Sequence, residues 1–166
     1  MSKIKQAFET IVHALQAKPE RGRGTGITTA RLRDGLTCDV ESGDFRFVSD
    51  LPVTAGGDGR GPTPGMYGRA ALASCLAMGY AMRAARAGIV LTGLEVEVQA
   101  DYNDAALFGV TDDPPGYSEV RWTVRFASET PASDVMAVLD DADAHSPYLD
   151  VFRRANRCTR TVEHRR

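Results

Sequence analysis

The chain is poor in the residues that announce most chemistries. Among 166 residues there are three cysteines, three histidines and one tryptophan. Cys38, Cys75 and Cys158 lie too far apart for a Cys-x-x-Cys redox pair or a zinc knuckle, and His13, His145 and His164 are as scattered, so no metal or cofactor is expected. A net charge of -2 gives no electrostatic reason to expect nucleic acid. Arg153, Arg154, Arg157, Arg160, Arg165 and Arg166 gather near the C-terminus without interleaved aromatics and read as a solvated tail. The longest apolar stretch, Ala70 to Ala85, contains Arg83 and falls short of the roughly 20 residues that span a bilayer, so no membrane is expected. Met1 to Pro19 is amphipathic and charged, unlike a secretory signal, and reduced thiols in a cytoplasmic protein are the expectation. Repeats and low-complexity segments are absent. The glycine-rich loop from Val53 to Pro64 lacks the Lys-Ser/Thr ending of a phosphate-binding loop and reads as a positioning loop.

What the chain does have is periodicity. Ile4, Phe8, Ile11, Val12 and Leu15 recur at helical spacing, which predicts an amphipathic N-terminal helix within residues 1–19, followed by a flexible joint over Arg21 to Gly26. Ile27 to Leu32, Leu36 to Glu41 and Phe45 to Ser49 are short strand-like segments divided by Asp34-Gly35 and Ser42-Gly43-Asp44, an antiparallel meander. Leu94, Val96, Val98 and Ala100 alternate with polar residues. Val120, Trp122, Val124 and Phe126 do the same, so two strands are expected to pair with acidic and basic outer faces in register. Val135, Val138, Leu139 and Ala142 form a second helical stripe, with Thr130 or Ser133 as its N-cap, and Cys158 to His164 alternates like a final strand. The order predicts an α+β fold with antiparallel sheet in one domain over residues 24–164.

Between these sheets lies Ala70-Ala71-Leu72-Ala73-Ser74-Cys75-Leu76-Ala77-Met78-Gly79-Tyr80, led in by Gly61-Pro62-Thr63-Pro64 and ended by Gly88. A helix apolar on every side cannot be covered by one small sheet, and a partner chain is the natural second layer. Cys75 at its centre is a candidate nucleophile, since small neighbours leave room beside the sulfur. A buried cysteine is otherwise only a small hydrophobe. Cys38 reads as packing, and Cys158 as a structural cysteine or a displaced second thiol. His13 belongs to a surface helix, and His145, at a helix end, reads as a dipole partner.

The run Asp50-Leu51-Pro52, Gly56-Gly57-Asp58, Gly61-Pro62-Thr63-Pro64 and the helix carrying Ala73-Ser74-Cys75 resembles the OsmC/Ohr family of organic hydroperoxide reductases. The resemblance spans roughly residues 24–164, and the proline-helix-cysteine block is its most specific part. It implies antiparallel sheets packed around a long buried central helix, in an intertwined homodimer with the cysteine near the subunit interface. Cys75 then corresponds to the peroxidatic cysteine, and the family's arginine to Arg33, or failing that Arg31. Tyr67, Leu72, Met78 and Gly79 are expected around the pocket, with Met66 and Tyr80 nearby.

Two family positions depart. Gly65 stands where the pattern has a glutamate, and Ser146 in His145-Ser146-Pro147 stands where it has a resolving cysteine. The implied activity is therefore a one-cysteine thiol peroxidase of the oxidative stress response, peroxiredoxin-like in using one thiolate. It would reduce an organic hydroperoxide or act on another small apolar molecule, and it would need an external thiol reductant because serine forms no disulfide. Cys75 lies well past the first turn of its helix, so the guanidinium rather than the helix dipole is expected to favour its thiolate. Ser146 is expected to take no part in the redox chemistry. A dimer that keeps the pocket without catalysis, binding a small molecule or serving only as structure, is the alternative.

Overall fold

The computed structural model describes residues 2–164. Helix α1, Lys3–Ala17, starts where the Ser2 hydroxyl accepts from the Lys5 amide at 3.2 Å, and it stops before Pro19. The expected joint holds a single 3-10 turn, Pro19–Gly22, and then extended chain. Strands β1 (Thr28–Leu32), β2 (Cys38–Ser42) and β3 (Phe45–Ser49) form an antiparallel meander. Gly35 and Gly43 make its turns at φ 69° and 57°, the left-handed region that glycine enters without strain.

Helix α2, Pro64–Ala87, is longer than the apolar block alone suggested. The Thr63 hydroxyl caps it by accepting from the Met66 amide at 3.3 Å, Pro64 takes the first position where a missing N–H costs nothing, and Gly88 closes it at φ 77°. Strand β4, Thr92–Asp101, and strand β5, Glu119–Ala127, pair antiparallel. The one-turn helix α3, Asp104–Leu107, begins the long connection between them, where no element was foreseen. The expected charge match is present: Arg125 pairs with Glu95 and Glu97, and Arg121 with Asp101 and Glu119.

Helix α4, Ala132–Ala144, is entered at Pro131 with no side-chain cap, so neither Thr130 nor Ser133 fills that place; Ser133 turns to Asp134 instead. A further helix, α5 (Pro147–Arg153), follows with Ser146 as N-cap. The expected final strand is not formed: residues 154–164 carry no regular structure and are exposed. Their alternation has no apolar face to bury and no neighbouring strand to bond.

The core gathers Leu72, Leu76 and Tyr80 from α2, Val135, Leu139 and Ala142 from α4, and Leu149 from α5, with the inner faces of β4 and β5 packed against it. Fixing these side chains by burial contributes about 1.5–3 kcal/mol for each large apolar residue. The long helix is covered along one stripe only. Met66, Ala70, Ser74, Met78 and Met82, spaced four apart, form a second stripe that remains exposed, with Met78 at 61%. Helix α1 lies beside the far end of α2, where Phe8 is held between the guanidinium groups of Arg83 and Arg86 at 5.3 and 5.1 Å.

Candidate active site

Cys75 sits on the border between the two stripes of α2 and is half-buried. Leu72, three residues before it, is fully enclosed on the core side. Met78, three residues after it, lies on the exposed side, and Gly79 leaves open space where a side chain would stand. The four residues expected around the sulfur thus divide: Leu72 is core, Met78 and Gly79 flank Cys75 on the helix, and Tyr67 is turned toward the meander.

Helix α5 reaches the sulfur from the other side. Ser146 is 7% exposed, and its Oγ lies 3.6 Å from Cys75 Sγ while accepting from the Leu149 amide at 3.3 Å. The two positions singled out from a distance of 71 residues are therefore in contact. His145 does not face Ser146. Its Nδ1 meets the Asp141 carbonyl at 2.7 Å and the Asp141 carboxylate at 3.2 Å at the end of α4. Cys158 is exposed on the tail, its thiol donating to the Asn156 carbonyl at 3.6 Å.

At Gly65 the missing glutamate leaves a site walled by other groups. The Tyr117 hydroxyl donates to the Gly65 carbonyl at 2.9 Å and accepts from Arg69 at 3.3 Å, and a side chain at Gly65 would begin 3.5 Å from each. Below the sulfur, the Tyr80 hydroxyl donates to the Asp143 carboxylate at 2.7 Å and accepts from the Trp122 indole at 3.1 Å. Burial, reinforced by that carboxylate, pushes the Tyr80 phenol up, so it stays a neutral strut of the core.

The arginine candidates lie at the tip of the meander. Arg31 meets Glu41 at 3.1 Å. Arg33 forms a two-point fork with Asp39, Nε to Oδ2 at 2.6 Å and Nη2 to Oδ1. The fork raises the guanidinium further above its ordinary value and holds the Asp39 carboxyl low, chiefly through the hydrogen bonds between them. Within one chain no hydrogen bond or ion pair among the described residues joins either arginine to Cys75. Both belong to the polar face of the meander, whereas Ala30, Cys38, Val40 and Phe47 share the apolar one.

The backbone under Arg33 is fixed from below. Its amide donates to the Thr37 carbonyl at 2.9 Å, and the buried Thr37 hydroxyl donates to Asp50 Oδ2 at 2.9 Å. Asp50, 1% exposed, also accepts from the Leu51 amide at 2.7 Å and the Arg60 amide at 3.1 Å. Burial alone would raise its carboxyl; these donors outweigh it and hold the carboxyl below the ordinary carboxylate range. Asp50 and Ser49 both bond to the Pro62 carbonyl, one residue before the Thr63 cap of α2. The loop between folds back on itself so tightly that a Cβ on Gly57 would stand 2.0 Å from the Leu51 oxygen, and it passes β3 so closely that one on Gly61 would stand 2.5 Å from the Val48 oxygen. The positioning loop is thus a bracket from the arginine turn to the cysteine helix.

On the apolar face of the meander an open groove of about 930 Å³ is lined by Cys38, Val40, Phe47, Tyr67 and Tyr148, among others. Tyr67 seals one side, its ring 5.1 Å from that of Phe47 and its hydroxyl donating to the Val48 carbonyl at 2.7 Å. Cys38 is therefore half-exposed to a groove rather than packed away. No group of three or more metal-ligating side chains occurs among the described residues, and no helix there is long and apolar enough to cross a membrane.

Sequence reasoning missed Asp39, Thr37 and the α5 cap. Asp39 meets Arg33 across the hairpin, at a sequence separation that no helical period marks. The Ser146-Pro147 pair did carry a helix-start signal, a capping hydroxyl followed by proline.

The fold resembles that of the OsmC-like protein from Mycoplasma pneumoniae, at a TM-score of 0.68 and 18% identity over 78% of this chain and 88% of that one. It resembles an organic hydroperoxide resistance protein OsmC from Legionella pneumophila at 0.57 and 19%, over 78% and 90%. An organic hydroperoxide resistance protein from Elizabethkingia anophelis follows at 0.60 and 18%, over 79% and 89%. These identities establish the fold alone. No curated protein matches the sequence. The family profile described as OsmC-like protein matches residues 57–160, which hold α2 with Cys75, the β4–β5 pair and α5 with its Ser146 cap. By that match the chain belongs to the OsmC-like family.

Proposed function

We propose that this protein is a thiol peroxidase that reduces organic hydroperoxides through Cys75 and depends on an external thiol for turnover. The observation that supports the reading is the contact of Cys75 with Ser146, the two positions that the resemblance matches to the peroxidatic and resolving thiols. The Cys75 thiolate attacks the distal peroxide oxygen. The S–O bond forms, the O–O bond breaks, and the leaving alkoxide takes a proton to become the alcohol while the sulfur is oxidised to sulfenic acid. With a hydroxyl at position 146, an external thiol condenses with the sulfenic acid, releasing water and leaving a mixed disulfide, and a second thiol frees Cys75. Arg33 is the cation assigned to hold the thiolate and orient the peroxide, in a cytoplasmic homodimer where the partner covers the exposed stripe of α2.

The test is consumption of tert-butyl hydroperoxide with dithiothreitol or dihydrolipoamide as reductant. Cys75→Ser is expected to reduce turnover to background, with the sulfenic acid trapped only in the wild type. Equal rates for wild type and Cys75→Ser would leave the second reading, a binding dimer, which the open apolar groove beside Tyr67 favours.

A further inference from the structure

We infer that Ser146 is a catalytic residue whose hydroxyl donates a hydrogen bond to the Cys75 sulfur. The inference rests on the peroxidase reading of Cys75 and reverses the expectation that this serine has no part in the chemistry. A serine hydroxyl has one hydrogen and two lone pairs. One lone pair is committed, because the Leu149 amide donates to Ser146 Oγ at 3.3 Å to cap α5. That amide is a donor and cannot receive the hydroxyl hydrogen. The other polar atom in contact with Oγ among the described residues is Cys75 Sγ at 3.6 Å, within reach of a bond to sulfur. Ser146 is 7% exposed, so bulk water competes poorly for the hydrogen. Its backbone is fixed as well: its amide donates to the Asp143 carbonyl at 3.3 Å, and its carbonyl accepts from the Asp150 amide at 3.0 Å. Capping thus orients the hydroxyl, and among the described residues the sulfur is the acceptor within reach of its hydrogen.

A donor held there favours the thiolate over the thiol, because a hydrogen bond to an ionised acceptor is about twice as strong as one to a neutral acceptor. No atom of Ser146 is consumed. The hydroxyl keeps its proton while the peroxide oxygen is transferred, and it then faces the sulfenic acid.

The experiment separates donation from capping with three variants in the full chain. Ser146→Ala removes both, Ser146→Gly removes the hydroxyl while leaving a residue that helix N-caps tolerate and adding no charge, and Ser146→Thr keeps both. The readouts are the pH dependence of Cys75 alkylation by iodoacetamide and the rate constant of Cys75 oxidation by tert-butyl hydroperoxide. Ser146→Ala and Ser146→Gly are expected to move the alkylation profile upward by about one pH unit and to slow oxidation about tenfold at neutral pH. Ser146→Thr should stay within about threefold of wild type by the same scale. An unshifted profile in Ser146→Gly, in protein of wild-type helix content, overturns the inference. So does a Ser146→Thr variant that folds and reacts like Ser146→Ala. If the profile shifts while the hydroperoxide fails to oxidise wild-type Cys75, the hydrogen bond stands and the peroxidase reading falls.

Discussion

At the scale of single residues, Asp39 supplies Arg33 with the carboxylate that α2 lacks. Arg33 has no acid on α2, where Gly65 stands, yet its guanidinium is forked by Asp39 from the neighbouring strand. The pair is roughly half-exposed on both sides, so solvent screening keeps its worth to stability small. On the proposed peroxidase reading its value lies in geometry, since an arginine free to rotate cannot orient a peroxide. Asp39→Asn is therefore predicted to leave the melting temperature nearly unchanged while lowering hydroperoxide kcat/KM by about tenfold, and Arg33→Ala to lower it on the order of 100-fold. Steady-state kinetics beside thermal melts decide this. An Asp39→Asn enzyme as fast as wild type would make the fork a surface ornament.

At the scale of elements, the bracket of residues 50–62 joins two pieces that the sequence reading treated separately. Asp50 holds Thr37 and two loop amides, and its carboxyl is held below the ordinary range by those donors. A depressed folded-state value contributes stability above the unfolded carboxylate value of about 3.9 and loses it as pH falls through the folded one. Asp50→Asn should then melt lower than wild type at pH 7, by about 5 °C, with the gap narrowing below about pH 4. A gap constant from pH 7 to pH 3 would show that the charge is irrelevant. Most elements were legible because their apolar residues keep a period: Phe8 and Leu15 on α1, Val96 against Val124 on β4 and β5, Leu139 on α4. The misread ones are those whose local pattern lacks a tertiary partner, or gains one from far away. Cys158 to His164 alternates but meets no strand, while Ser146 becomes a cap and a sulfur neighbour at once. Likewise Arg33 was legible as a turn arginine, but Asp39 was not legible as its partner, because cross-strand register depends on where each hairpin turns.

At the scale of the whole molecule, the exposed stripe of α2 and the open apolar face of the meander are the surfaces that one chain leaves uncovered. Met66, Met78, Phe45 and Leu32 are all more than half exposed. Exposed apolar residues in such numbers point to an interface, and a homodimer that buries them is expected at low micromolar concentration. Light scattering should return twice the 17.9 kDa chain mass. Replacing Met78 by Glu should shift the species toward monomer and lower peroxidase activity with it, whereas a wild-type protein that scatters as a monodisperse monomer would remove the partner from the site. The bracket loop bears on how such data are read. Gly57 and Gly61 admit no Cβ without moving the backbone at Leu51 and Val48, so a saturation scan scored by survival on peroxide would find these two glycines as intolerant as Cys75. Intolerance alone would place them among the reacting groups. Only a parallel score of protein abundance distinguishes a position that the chemistry needs from one that the chain needs in order to close.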